Sequence, residues 1–524
     1  MEIKINQVGY RKESVKKATI SDYNGDACKF SIINTSDNSV VYTGDIVDCG
    51  YYKDADENIK IAVFTEFNTE GTYKVSVDGV ETAEFSINED VYLDALEKSI
   101  EYFTLSRCGC ELSESVSKVF AHKACHNTPA RIYGTEEYKD VTGGWHDAGD
   151  YGRYVVPGAK AVVDLLNAYE LCKSEYMDSI SDKLLDEVKY ELDFFLKMQD
   201  ETTGGVYHKV TCASFPDMVQ PEEETEELII CPVSYTATAD FVATLACAYR
   251  TYSKVDKYKD YAEKLMAAAY KALSYIEDVE PTLFKNPEGI VTGEYDDYCT
   301  LDETFWAYAE MYKTTGDKQF EEVLMEMNID DIPGLFEWKD VGEYGFYAYV
   351  TAKDHSDKAF YDKVYARLSE HVDKIVASMD KDPYGYSMDG YYYWGCNMGV
   401  ANDAMLMILM DKINNTNKYD GYVSELVNYL FGNNPNNVCY LTGVGSNPAK
   451  LPHHRPSAAC NAPMPGMLVG GPEPRILDEH MKETYKDGAP APAKCYADVT
   501  GSYSTNEVTI YWNSPLVFVL AYLA

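Results

Sequence analysis

Near Val91 the hydrophobic period of the chain changes, and it does not change back. Before that point KFSII, SVVYTGDIV, IKIAVFTEF, TYKVSV and AEFSI are short β-branched or aromatic runs parted by Asn, Asp and Gly, the pattern of strands joined by turns. Residues 1–90 are therefore predicted to form a β-sandwich of immunoglobulin-like size. After it, Leu93, Leu96, Ile100 and Phe103 recur at helical spacing, and apolar stripes of that period continue to the C-terminus. Predicted helices include 158–174, 183–199, 237–254, 258–276, 302–314, 358–378, 400–412, 421–431 and 514–523. About a dozen amphipathic helices without intervening strands make residues 91–524 mainly α, and suit a closed helical toroid better than a four-helix bundle. The junction INEDVY is too short for a flexible tether, so firm contact between the two domains is expected.

Charge narrows the partners. A formal net charge of −40 repels nucleic acid and anionic membrane surfaces, and no run approaches the roughly 18 apolar residues of a membrane span. A neutral substrate fits better, and a monomer is expected. The 46 tyrosines supply flat amphipathic rings, mostly for packing, though a sugar-binding cleft needs the same rings. Fourteen scattered cysteines do not make the dense framework of a small secreted domain and read as free thiols in a reducing compartment. The opening MEIKINQVGYRK has neither an apolar core nor a small-residue cleavage site. As it stands the sequence is expected to be cytoplasmic, and secreted if a signal peptide has been trimmed.

The chemistry concentrates in GGWHDAGDYGRYVVP, residues 143–157. Asp147 and Asp150 are three positions apart, with Trp145, His146 and Tyr151 around them and glycines that permit close backbone approach. An isolated DxxD is most often a turn with solvated acids, so the rest of the chain has to decide. The last long loop, 432–513, supplies the context with PHHRP at 452–456 and STNEVTIYWN at 504–513. Glu507 precedes an apolar helix and is followed by Val508 and Ile510. Desolvation there is expected to keep it protonated near neutrality, against the bland reading of a capping or solvated acid. One neutral acid and one ionised carboxylate are what glycosidic cleavage needs, and His453 and Arg455 offer donors to sugar hydroxyls.

The GGWHDAGDYGRYVVPGA run, the PHHR box and the STNEVTIYWNSP tail together resemble glycoside hydrolase family 9, the inverting cellulases, across essentially all 524 residues. The opening KINQVGY resembles the immunoglobulin-like module of one branch of that family. The resemblance implies an (α/α)6 barrel and hydrolysis of β-1,4-glucan, with Asp150 as general base, Asp147 as its partner, Glu507 as general acid, and His453 and Arg455 gripping the sugar. Trp338, Trp394 and Trp512 resemble substrate-binding aromatics, Trp512 standing where much of the family has Tyr. An inverting enzyme must admit a water, so its carboxyls are expected roughly 6.5–9.5 Å apart. Endo-acting cleavage of soluble cellulose, mixed-linkage glucan or cellodextrins is the leading expectation. An exo-acting cellodextrinase, β-glucosidase or β-glucosaminidase is the alternative on the same scaffold.

Cys108, Cys125, His126 and His146 form a second constellation. Two thiolates and two imidazoles suit a closed tetrahedral zinc site. Their spacing alone favours four buried residues without metal, since no CxxC pair is present, and it is the resemblance that implies structural zinc. Calcium is left open without ligands: the acidic runs at 221–227 and 293–298 lack a recognisable loop spacing and read as solvated charge. A zinc hydrolase is disfavoured because four ligands close the metal. A non-catalytic sugar binder has no use for Asp147, Asp150 and Glu507 together.

Overall fold

The structure is a computed structural model and describes residues 1–23, 25–174 and 177–524. Nine strands open the chain: β1 (Glu2–Lys4), β2 (Gly9–Tyr10), β3 (Lys17–Ser21), β4 (Lys29–Asn34), β5 (Val40–Tyr52), β6 (Glu57–Val63), β7 (Gly71–Val77), β8 (Val80–Glu81) and β9 (Phe85–Ile87). Hydrogen bonding runs β1-β3-β6-β5-β4-β7-β9-β2, with β8 on β7. The first half of β5 pairs with β4 and the second half with β6, and the register shifts between Asp48 and Gly50. A bulge of this kind lets one strand serve two layers. Ala18, Ile20, Ala62 and Phe64 from one layer and Phe30, Ile32, Val75 and Phe85 from the other then share one core.

The described residues fall in two compact units, residues 1–102 with 372–524, and residues 103–371. In the first unit the KINQVGY segment is a seam between the β-layers and the C-terminal helices. The Lys4 ammonium, fully buried, donates to Glu57 (2.9 Å), the Tyr384 hydroxyl (2.9 Å) and the Pro435 carbonyl (3.0 Å). Asn6 donates to Asn428 (2.9 Å), and the Gln7 amide to the Phe431 carbonyl (2.9 Å). Gly9 is obligatory: its φ is +131°, and a Cβ there would stand 2.4 Å from the Ser86 carbonyl oxygen. Helix Cys396–Asn414 packs on Ile510–Leu523 and on Asp420–Leu430.

The second unit is built on helices Val155–Ser174, Asp178–Met198, Tyr235–Tyr252, Lys259–Asp278, Leu301–Thr315 and Gly342–Val350, packed pairwise. Helix starts differ from expectation for local reasons. Pro157 lies in the first turn of Val155–Ser174, where a missing N–H costs nothing. Thr509 caps Ile510–Leu523 by accepting from the Trp512 amide, so that helix begins before Ser514. Gly342–Val350 is apolar on nearly every face and has no stripe to read. The unit also holds a small five-stranded sheet, ordered Tyr138–Lys139, Ala130–Ile132, Ile229–Ile230, Lys209–Thr211, Arg153–Tyr154. The sequence pattern allowed no strands here, because segments of two or three residues are too short to show a period. Among the described residues no helix is long and apolar enough to cross a membrane.

Candidate active site

The two aspartates are buried, not solvated. Asp147 is 1% and Asp150 7% exposed. The Asp147 amide donates to the Gly152 carbonyl (3.0 Å), closing the loop, and the Gly152 amide donates to Asp150 Oδ2 (3.1 Å). Each carboxylate also has a phenol. Tyr154 donates to Asp150 Oδ2 (3.1 Å), and Tyr295, from 148 residues downstream, donates to Asp147 Oδ2. The two rings lie 4.7 Å apart. Tyr295 has φ +46°, a left-handed conformation uncommon for a tyrosine and of the kind that gathers at functional sites. Trp338 is half-buried and meets the Tyr295 ring edge-on at 4.9 Å, which puts it on the Asp147 side of this unit.

The loop is braced from behind. The Arg153 guanidinium donates to the carbonyls of Val141 (2.6 Å) and Gly143 (2.8 Å). The Trp145 amide donates to Glu191 (2.7 Å), a carboxyl that burial pushes up to about 8. Gly144, at φ +77°, lies against Phe194, whose ring a Cβ would approach to 2.7 Å. Lateral pairing comes from the His146 and Cys108 amides, which donate to Ser106 and Gly144 (both 2.8 Å).

Cys108, Cys125, His126 and His146 come together in the same unit, their ligand atoms all within 4.8 Å of one another. Cys108 Sγ is 3.6 Å from His126 Nδ1, and Cys125 Sγ is 3.7 Å from His146 Nε2. Those separations match the sulfur–nitrogen edge of a tetrahedral zinc shell, about 3.6 Å from ordinary Zn–S and Zn–N bond lengths. His126 donates its other ring nitrogen to Glu224 (2.8 Å), whose side chain is 6% exposed. A carboxylate in that position orients a ligating imidazole. Burial, and then the hydrogen bond with Cys125, pushes the Cys108 thiol well up, while hydrogen bonding from Cys108 pulls Cys125 far down. The set fits a closed metal centre.

Glu507 lies in the other unit, just after the short helix Tyr503–Asn506. It is half-buried, with Val508 and Ile510 fully packed beside it. Main chain sets its place: His453 and Glu507 form a parallel bridge, the His453 amide donates to Asn506 (2.8 Å), and the Gly470 amide donates to Glu507 (3.0 Å). Asn506 is fully buried and donates to the Leu451 carbonyl (2.7 Å) while accepting from Tyr496 (2.7 Å). His453 donates through Nδ1 to the Thr500 carbonyl (2.7 Å). Its ring lies 6.0 Å from Tyr503, which in turn lies 5.2 Å from the exposed Trp394. Arg455 is buried at the start of Arg455–Ala459.

Trp512 departs from expectation. It is 3% exposed, and its ring fills the space over Gly395 and Gly470, where a Cβ would stand 2.8 and 3.1 Å from it. It packs the helix base and offers no face to a sugar. In the first acidic run Glu223, Glu226 and Glu227 are exposed, as solvated charge should be, and Glu224 is an exception. In 221–227, Glu223 caps Gln220, Glu224 holds His126 and Glu227 pairs with Arg131. In 293–298, Glu294 and Asp296 pair with Lys285, and Asp296 also with Lys339. Among the described residues the acids of these runs form no metal-like group. Tyr154, Tyr295, Glu191 and Glu224 escaped sequence reasoning. Only the acidic runs at 221–227 and 293–298, in which Glu224 and Tyr295 stand, brought attention near them.

Comparison with known proteins agrees along the whole chain. The family model for glycosyl hydrolase family 9 matches residues 92–520, and that for the cellulase N-terminal ig-like domain matches residues 1–82. A cellodextrinase of Butyrivibrio fibrisolvens is 33% identical over 551 residues, covering 99% of each chain. Endoglucanase D of Acetivibrio thermocellus is 34% identical over 542 residues, covering 99% of this chain and 83% of its own. The solved structure of AaCel9A in complex with cellobiose-like isofagomine superposes with a TM-score of 0.93 at 36% identity, covering 99% of each chain.

Proposed function

We infer the reaction from the family: the chain belongs to glycosyl hydrolase family 9, is a glycoside hydrolase, and, we propose, hydrolyses β-1,4-glucosidic bonds with inversion. The observation that carries this is the pair of buried aspartates, each gripped by its own phenol. A solvated turn has no use for such a frame, and a water-activating base does.

In the proposed mechanism Asp150 takes a proton from water as its oxygen attacks the anomeric carbon. Glu507 gives a proton to the departing glycosidic oxygen, and solvent restores both groups. Asp147, fixed by Tyr295, orients the water with Asp150. His453 and Arg455 bind the sugar at the cleavage point, and Trp338 and Trp394 flank the chain. The helical part of the molecule is proposed to be an (α/α)6 barrel. Zinc, held by Cys108, Cys125, His126 and His146, would fasten the loop that ends in Asp147. With four protein ligands it keeps no open position for the reaction.

Soluble cellulose, mixed-linkage glucan and cellodextrins are the proposed substrates, cut endo-wise. Full-length similarity to a cellodextrinase favours a second reading, stepwise release from short oligomers. Product chromatography on cellohexaose and carboxymethylcellulose, wild type beside Glu507→Gln, separates them. Mixed shorter oligomers with a fast fall in viscosity, lost in the variant, establish endo action through this acid. Glucose alone from the hexamer, with the polymer untouched, establishes the second reading. No cleavage of either overturns the substrate class.

A further inference from the structure

Behind the catalytic loop lies an ammonium without a carboxylate. Lys209 opens the strand Lys209–Thr211, which pairs antiparallel with Arg153–Tyr154 so that Tyr154 and Lys209 face each other across the ladder. Its side chain is fully buried and donates to Thr292 Oγ1 (3.2 Å) and to the carbonyls of Gly293 (2.5 Å) and Thr292 (3.5 Å). No carboxylate lies within ion-pair distance of it among the described residues. The ammonium stands 5.4 Å from the centre of the Tyr154 ring. That ring carries the hydroxyl on Asp150, and Gly293 is two residues before Tyr295, which carries the hydroxyl on Asp147. One buried cation therefore touches the supports of both phenols.

Burying a charge without a counter-ion is costly. A carbonyl-bonding role alone could be filled by a neutral amide. What the ammonium adds is charge, one ring away from Asp150. Resting on the reading of Asp150 as general base, we propose that Lys209 is a positioning residue of the catalytic site: fixed on Thr292 and Gly293, it sets the Tyr154 and Tyr295 phenols and places a positive charge behind the base.

The titratable groups around it are His208 just before its strand, Cys231 just after the adjoining strand, Tyr154 on the paired strand, Asp150 on the catalytic loop, and Glu294 and Tyr295 beyond Thr292. Burial holds His208 neutral, down to about 3. Burial also lowers Lys209 to about 8, opposed by Cys231, Asp150 and Glu294, so the amine carries its proton through neutral pH.

The sign of the effect follows. A positive charge behind the catalytic loop favours negative charge in front of it, so its loss should be read in the pH dependence of kcat. On cellohexaose from pH 4.5 to 8, Lys209→Met is expected to lower kcat most at the acidic end, by up to about tenfold, with KM within about twofold and the acidic limb of kcat moved up by about one pH unit. The deficit should shrink as pH rises. Lys209→Gln keeps a donor toward Thr292 and Gly293 without the charge and should show the same limb shift. Tyr154→Phe should shift the limb less, and the double variant should be less than additive. A wild-type limb in Lys209→Gln, a loss independent of pH, or an effect confined to KM overturns the proposal. Thermal melting checks the fold, and if Lys209→Met does not fold, the other two variants carry the test. Near-normal turnover in Asp150→Asn would instead overturn the base assignment itself.

Discussion

Asp147 and Asp150 are buried and gripped by side-chain donors, the phenols of Tyr295 and Tyr154, whereas Glu507 is half-buried and takes its place from main-chain pairing with His453 and Gly470. Donors aimed at a carboxylate suit a group that must accept a proton. A main chain pinned beside an apolar helix suits a group that must deliver one from a fixed place. The first arrangement depends on individual side chains far apart in sequence. The second survives most substitutions near it, since backbone pairing does not depend on side-chain identity.

The comparison breaks at once if the two carboxyls are not the reacting pair. Asp150→Asn and Glu507→Gln should each lower kcat by at least about a hundredfold, read by reducing-sugar release on soluble glucan. Turnover near wild type in either reassigns the role. On the loop's far side, Glu224→Ala should weaken metal retention about 10- to 100-fold, as loss of an orienting carboxylate does. Metal content after dialysis against a graded chelator measures it, and undiminished retention removes Glu224 from the centre.

Tyr295→Phe sharpens the contrast. It deletes one donor and keeps the ring on Trp338, and should lower kcat about tenfold with little change in KM, since a hydrogen bond to a charged group is worth roughly 1.5–3 kcal/mol. The matching change on the main-chain side, Asn506→Ala, should cost about 1–3 kcal/mol of stability by orphaning buried partners, and leave the shape of the kcat–pH profile unmoved. A reversed result, stability lost in the first and pH profile moved in the second, would invert the comparison.

The smallest effect concerns the brace. Glu191 is raised from its ordinary value to about 8 by burial, eased by the Trp145 amide and Arg153. Between the unfolded value near 4.5 and about 8, the unfolded chain ionises this group while the folded chain does not, so stability falls as pH rises through that window. Glu191→Gln retains an acceptor for Trp145 and should melt like wild type near pH 4, then a few degrees higher at pH 8. Equal melting at both values would mean that Glu191 is not the group responsible.

The strand-to-helix change near Val91, the helix interiors and the motifs carrying Asp147, Asp150, His453 and Glu507 were legible because each is local. Periodicity, turn chemistry and motif spacing all act within a few turns of chain. The four candidate metal ligands were visible as residue types, and the family resemblance grouped them as one set. Tyr295 was not legible, since nothing local separates it from the other tyrosines among 46. Its role comes from meeting Asp147 across 148 residues. Glu224 likewise sits in an acidic run whose members go separate ways to Gln220, His126 and Arg131.

By itself, then, the sequence determined the longer strand and helix segments and singled out the carboxyls proposed for catalysis, because those depend on neighbours in the chain. Tertiary structure alone decided that Trp512 fills space over two glycines instead of facing a sugar, that two phenols guard the aspartates, and that a lysine without a carboxylate stands behind them. Burial and partnership are properties of packing between distant segments, and no local pattern encodes them.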